Sequence, residues 1–413
     1  MTKKLISAML LLPGISFAQQ TNVLFIGNSY TNVNDLPNIF KQVALSLGDT
    51  VNVASSTPGG YTFEAHSSYA PTLAAINQQA WDYVVLQEQS QRPSFSPEQV
   101  AQECYPFAAQ LVDSILANDS CTQPMFYMTW GRQNGDASNC ASWPPVCTYD
   151  GMQQRLRESY LEMAFDNSAF AAPVGVAWKH VRDTHPLINL YNADESHPSP
   201  EGSYLAASVF YCTVFRTSCE SASFNFSLDP DTAAILREIA SSTVLDSLAT
   251  WNIGVNDPDA GFTMETFDSC ELMFHPSSPG THFWDFGDGS TSEESDPFHL
   301  FSNDPVVTVT HNVTDDCGRS ASWSQEINAC AVGIERHAPL LFFDLRWTSD
   351  GILTVWNPDY LEGTLVIVDM MGRHVFTSAA PDGRELHVSL HCPLFWRFTT
   401  ADRLTDTGRI IIP

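Results

Sequence analysis

The sequence predicts a three-layer α/β domain with a mainly parallel sheet, followed by two small β-sandwich domains. Three observations carry that prediction. From residue 20 to about 250, strand-like apolar runs alternate with amphipathic segments, the pattern of a parallel sheet covered by helices. From about 253 the texture changes to short β-like runs, turns and clustered Asp, Gly and Ser. A third stretch, from about 340, again reads as strands and turns. The expected organisation is an export signal over 1–18, an α/β domain over 19–252, a first sandwich over 253–332 and a second β domain over 338–413.

The opening "MTKKLISAMLLLPGISFAQQ" places Lys3 and Lys4 before an apolar stretch and ends in "SFA" before Gln19, the tripartite form of a cleaved secretory signal. No later stretch approaches the roughly 20 apolar residues that cross a bilayer. The mature chain is expected to be secreted or held at the cell surface with no membrane span. With 19 Lys+Arg against 47 Asp+Glu, its net charge of −28 repels phosphate backbones, which argues against nucleic-acid binding. Ten cysteines in an exported chain permit disulfides, and no CxxC pair suggests structural zinc. The local pairs Cys140–Cys147 and Cys212–Cys219 are the nearest candidates in sequence, and Cys270 with Cys317 is a third.

In order along the α/β region, the strands expected are "NVLFIG", "VNVAS", "DYVVLQ", "MFYMTW" and "APVGVAW". After the first comes "NDLPNIFKQVALSLG", where Leu36, Phe40, Val43 and Leu47 share one helical face, Pro37 suits the first turn and Gly48 the end. Ser29 therefore falls between the carboxyl end of a strand and a helix, where open α/β sheets place their ligands.

A serine hydroxyl becomes a nucleophile when a base takes its proton and a third group fixes that base's tautomer. Two late segments compete to supply base and acid: "RDTHP", with Asp183 and His185, and "NADESHPSPEGSYLAA", with Asp194 and His197. Residues three apart meet across one helical turn, so the second spacing lets a carboxylate hold an imidazole. Pro198 and Pro200 stiffen the turn, and Ser199 or Glu201 starts the helix behind it. His185, beside Pro186, reads as a surface turn residue. "STPGGYTFEAH" follows the second strand, and Gly59 and Gly60 let backbone N–H groups approach an oxyanion. "DYVVLQEQSQRP" follows the third, with Gln87, Gln89 and Gln91 as amide donors. Trp130 and Arg132 in "TWGRQNGD" follow the fourth and are candidates to face a substrate through stacking and charge, against the competing reading of a core tryptophan and a solvated arginine.

That ordered set resembles the SGNH (GDSL-type) hydrolases, esterases and lipases whose four blocks supply Ser, Gly, Asn and a late Asp-x-x-His. "FIGNSYT" matches the first block with Asn in place of the usual Asp, and "LYNADESHPSPEGSYLAA" the last. The resemblance implies Ser29 as nucleophile, His197 as general base and acid, Asp194 as its orienter, and oxyanion donors from Ser29 N–H and from Gly60 or Gly59. The third block departs, with "LQEQSQ" where Gly-x-Asn-Asp is usual, so Gln89 is expected to replace the missing Asn, with Gln87 close behind. No metal or organic cofactor is implied. "FWDFGDGST" resembles PKD-type immunoglobulin-fold modules of bacterial secreted enzymes, in which Asp285 and Asp288 read as turn residues in preference to calcium ligands. "GTLVIVDMMGRHVF", "GRELHVSL" and "RIIIP" are similar to the sorting domain of type IX secretion cargo, with "CPLFWRF" replacing its usual late Gly-x-Tyr strand. The expected function is a secreted serine esterase acting through an acyl-enzyme on small-molecule or polysaccharide esters, carbohydrate acetyl groups above all, with the type IX machinery as a partner. The alternative is an inactive binding or adhesion protein on a hydrolase scaffold.

Overall fold

A computed structural model describes residues 20–268, 270–301 and 306–329, together with separate strands between 344 and 410. The expected export signal lies outside the described residues. The chain divides into two units, Met1–Trp251 and Asn252–Pro413.

The first unit is built on five strands: β1 (Thr21–Ile26), β2 (Val51–Ser56), β3 (Tyr83–Leu86), β4 (Gln123–Tyr127) and β5 (Phe170–Ala172). Their order is β2-β1-β3-β4-β5, and every pairing is parallel. A strand buried on both faces has no need to alternate, which is why Val23 to Ile26 are apolar throughout and wholly buried. Phe25 packs against Phe40 of helix Leu36–Leu47 and Phe210 of helix Pro200–Phe215, at ring-centroid distances of 5.9 and 5.4 Å. Phe126 instead meets Phe63, at 6.0 Å. From β1 the chain runs first to β2 on one side and then to β3 on the other, so the loops after β1 open at the switch point of the sheet.

The first four expected strands form within three residues of their sequence limits, the fourth ending at Tyr127 and not at Trp130. The fifth, "APVGVAW", does not: β5 ends at Ala172, and Val174–Thr184 is a helix. A Cβ on Gly175 would stand 2.1 Å from the Thr129 carbonyl, so glycine there lets the helix pack onto the backbone after β4. The run looked like a strand because that helix is buried along Val174, Ala177, Trp178 and Val181. Cys140–Cys147 is a disulfide as expected. Cys212 and Cys219 are instead free buried thiols whose sulfurs both approach Ser241 Oγ, at 3.6 and 3.4 Å.

In the second unit, β6 (Phe262–Asp268), β7 (Glu271–Pro276) and β10 (Phe298–Leu300) form one antiparallel sheet. A second contains β8 (Thr281–Asp285), β9 (Thr291–Ser292), β11 (Val306–Thr314) and β12 (Ser320–Asn328). Phe262, Phe274, Trp284, Val309 and Ile327 from the two sheets share one core. The "GDGS" turn has Gly287 and Gly289 at φ +77° and +93°, with Asp285 and Asp288 accepting the Gly287 and Ser290 N–H groups, the backbone role expected of them. Cys270 and Cys317 are each disulfide-bonded. Beyond them, seven strands from Asp344–Trp347 to Thr405–Ile410 form two further antiparallel sheets. The stretches between these strands, including parts of "GRELHVSL", "CPLFWRF" and "RIIIP", lie outside the described residues. Among the described residues no helix is long and apolar enough to cross a membrane.

Candidate active site

The turn after β1 is shaped by Gln87, at the end of β3. Gln87 Oε1 accepts from Asn28 N at 2.9 Å and from Thr31 Oγ1 at 2.9 Å. A Cβ on Gly27 would lie 2.6 Å from that same oxygen, so only glycine lets the amide in. The chain then turns at Asn28, whose Oδ1 accepts from Tyr30 N and whose Nδ2 donates to Tyr61 O at 2.9 Å. Ser29 emerges half-buried at the start of the next short helical turn.

Ser29 and His197 are 168 residues apart in sequence, yet His197 Nε2 lies 2.8 Å from Ser29 Oγ. His197 Nδ1 hydrogen-bonds Asp194 Oδ2, and Asp194 Oδ1 accepts from the backbone N–H of Ser196 and His197. A carboxylate can only accept, so Nδ1 carries the proton and Nε2 is left to accept from the serine hydroxyl. Burial alone would raise the Asp194 carboxyl, but the hydrogen bonds from the His197 ring and the two N–H groups outweigh it and hold it below its ordinary value. The spacing that brings these groups together depends on Glu195, whose φ of +61° lets the chain fold back between acid and base. Glu195 is held there by the loop after β4, its carbonyl accepting from Gln133 N and its carboxylate from Asn134 Nδ2.

The competing segment is arranged otherwise. Asp183 accepts from Lys179 Nζ, and His185 Nδ1 meets Thr184 Oγ1, so "RDTHP" contains no Asp–His pair. Behind His197, Ser196 is fixed from two sides: its carbonyl accepts from Trp130 Nε1 at 3.0 Å, and its hydroxyl meets Tyr30 OH at 2.5 Å. Trp130 is wholly buried, stacked between Tyr30 and Trp178 at 4.9 and 3.8 Å, and the Tyr30 ring stands edge-on to His197. Trp130 is therefore not a substrate platform; its polar handle braces the histidine loop. Arg132 is half-buried, with Nη1 3.4 Å from Asp136 Oδ1, and its buried Nε has no hydrogen-bond partner among the described residues.

Neither Ser29 N–H nor the Gly59 and Gly60 N–H groups donate to another of the described residues, and Gly60 sits at φ +71° with open space around it. Gln87 is a correction: its amide is buried, with Oε1 spent on the Ser29 turn and Nε2 donating to the Glu88 carbonyl, so it shapes the turn and does not present a donor. Gln89 uses its Oε1 on Gln91 N and Arg92 N, while its amide nitrogen makes only a 3.3 Å contact with Gln91 Oε1. Of the two, Gln89 keeps donor capacity. Sequence reasoning missed Tyr30, Ser196, Glu88 and His66. Of these, His66 alone carried a legible signal, standing in the Gly-Gly block, and its Nε2 donates to the Gly27 carbonyl at 2.9 Å while Nδ1 meets Thr72 Oγ1. Burial pushes its imidazole below the ordinary value, keeping it a neutral strut.

A parallel five-stranded sheet with a serine at its switch point and an Asp-x-x-His before its last long helices defines the SGNH/GDSL-type hydrolases. The chain belongs to that class through its first unit. The second unit carries a PKD domain, whose family model matches residues 266–330. Among solved structures, the chain is similar to a candidate SGNH hydrolase from Slackia heliotrinireducens, 31% identical over 47% of this chain and 98% of that one, with a TM-score of 0.38. It is also similar to a DUF4886 family protein from Bacteroides uniformis, 17% identical over 55% and 95%, TM-score 0.48. A third likeness is to an acetyl xylan esterase, AlAXEase, 13% identical over 47% and 99%, TM-score 0.37. A comparison with curated proteins returned no match.

Proposed function

We propose that the protein is a secreted serine esterase of the SGNH type. The observation that carries this reading is the relay itself: Asp194 on Nδ1 of His197 and Ser29 Oγ on Nε2, at 2.8 Å. In the cycle, Ser29 Oγ attacks an ester carbonyl carbon as His197 takes its proton. The tetrahedral oxyanion is held by Ser29 N–H and by Gly60 or Gly59 N–H, with Gln89 as a third donor. His197 returns the proton to the departing alkoxide, leaving an acyl-Ser29, and then activates water to release the acid. Arg132 is a substrate-side group whose guanidinium meets the alcohol portion of the ester.

The substrate in this reading is an acetyl group on a carbohydrate, supported by a PKD domain on the same chain as a hydrolase fold. Export is supported by the leader-like opening, and disulfides suit an oxidising compartment. The residues from 338 serve as an address read by a type IX secretion system. The test is release of p-nitrophenol from p-nitrophenyl acetate by wild type and Ser29→Ala, followed by acid release from acetylated xylan, other acetylated glycans and short lipids. Equal rates in wild type and Ser29→Ala would leave the binding-protein alternative standing.

A further inference from the structure

Glu88 is a wholly buried carboxylate that the mechanism does not use. It stands two residues beyond the end of β3, between Gln87, which shapes the Ser29 turn, and Gln89. Its two oxygens are divided: Oε2 accepts from Phe63 N at 3.0 Å, and Oε1 from Gln89 N at 2.5 Å. Phe63 is three residues beyond Gly60, and Tyr61 between them is tied to the Ser29 turn by Asn28 Nδ2. One side chain thus joins the loop that carries Gly59 and Gly60 to the loop that carries Gln89.

We propose that Glu88 is the positioning residue that holds the glycine loop and Gln89 in register with Ser29, so that their donors converge on one oxyanion. This rests on the esterase reading above. An amide at this position offers one oxygen only, and the other N–H would face an NH₂ group, so a carboxyl group, with two oxygens to share between the two N–H groups, is what the arrangement requires. Its cost is large, because a buried carboxylate needs a partner and among the described residues this one has no ion pair. Arg92, whose charge acts on Glu88, is itself engaged by Glu64 at 3.1 Å and Glu103 at 3.7 Å. The other titratable groups around Glu88 are Cys104 and Tyr160, the latter accepting from Glu88 N at 3.2 Å. Burial, opposed by the two N–H bonds, pushes the carboxyl up to about 7.

The experiment compares wild type, Ser29→Ala, Glu88→Gln and Glu88→Asp with p-nitrophenyl acetate, and reads Ser29 labelling by a fluorophosphonate, whose phosphoryl oxygen takes the place of the oxyanion. The expected result for Glu88→Gln is a kcat about 10²-fold lower, the scale of an ångström misplacement, with KM within about threefold of wild type, slowed labelling and an unreduced Tm. Glu88→Asp keeps the charge but is one methylene short, and is expected to lose kcat as well; it carries the test if Glu88→Gln does not fold. A folded Glu88→Gln with wild-type kcat and labelling rate overturns the proposal. If wild type and Ser29→Ala hydrolyse the ester equally, the esterase reading has failed instead, and the two failures are distinct.

Discussion

Among the described residues, a cluster of serine, histidine and aspartate in the first unit, Ser29, His197 and Asp194, can be set against one in the second, Ser290, His299 and Asp288, and of these two only the first is wired as a relay. In the first unit Asp194 binds Nδ1 of His197 and Ser29 binds Nε2, so the imidazole stands between acid and alcohol. In the second unit Asp288 Oδ2 and Ser290 Oγ both approach Nε2 of His299, at 2.7 and 3.2 Å, and the Ser290 hydroxyl donates to Asp288 itself. There the nitrogen's proton goes to the carboxylate, the serine has no lone pair to receive its own, and the ring lies flat on Phe286 at 4.1 Å. The same three residue types form an acid–imidazole–alcohol chain in one setting and a braced turn in the other. What separates them is which ring nitrogen each partner reaches.

The largest expected effects break that contrast. Ser29→Ala and His197→Ala should each cost at least about 10³ in kcat, since a triad acts as a unit. Ser290→Ala and His299→Ala should leave ester hydrolysis at the wild-type rate. Steady-state kinetics of the four variants decides both halves; a loss in the second pair would give the PKD cluster a part in turnover. Asp194→Asn comes next, because an amide facing Nδ1 can donate and so favours the tautomer that turns a proton toward Ser29, a change of about 10⁴ in another serine hydrolase. Asp288→Asn should leave kcat unaltered in the same assay.

A smaller effect sharpens the comparison at Trp130. Trp130→Phe keeps the stack with Tyr30 and Trp178 but deletes the N–H that holds the Ser196 carbonyl. Losing one buried hydrogen bond of this kind is worth about 1 kcal/mol, so kcat should fall about fivefold if the bond orients His197. A change in KM alone would return Trp130 to the substrate side.

The relay was legible in the sequence because its parts sit at element boundaries with strong local signatures. An apolar run ending in Gly-Asn-Ser marks a strand handing over to a helix, and Asp194 and His197 are three apart before a proline-stiffened helix. The braces were not legible, because they are tertiary. Gln87 and Gln89 are both glutamines two apart at one strand end, and nothing local says that one turns inward to Asn28 while the other faces the loop. Trp130 next to a strand reads the same whether its indole stacks on a ligand or on Tyr30. "APVGVAW" has strand-like composition because a helix buried along most of its length also lacks polar positions. The free pair Cys212 and Cys219 shows that short separation sets opportunity and not bonding.

The last expected difference between the units lies in how pH moves their stability, and the two carboxyls Glu88 and Asp288 give it opposite signs. An unfolded glutamate ionises near 4.5, but folded Glu88 only near 7, so between these values the folded state holds the extra proton and loses stability as pH rises. Asp288 is the reverse. Burial raises it, but the Ser290 and His299 hydrogen bonds win and hold it at about 2 against an ordinary 3.8, so its contribution is present above 3.8 and disappears as pH falls toward 2. Glu88→Gln should therefore gain on wild type between pH 5 and pH 8, by roughly 3 kcal/mol at most, since each tenfold change in proton affinity is worth about 1.4 kcal/mol. Asp288→Asn should instead flatten the acid limb between pH 4 and pH 2, by less, because that site is open to solvent. Calorimetry of the full chain and of both variants across these ranges reads the two slopes. Parallel slopes for Glu88→Gln and wild type from pH 5 to pH 8 would mean that Glu88 ionises in the fold as it does in the unfolded chain, and the carboxylate would then have to be reached by water.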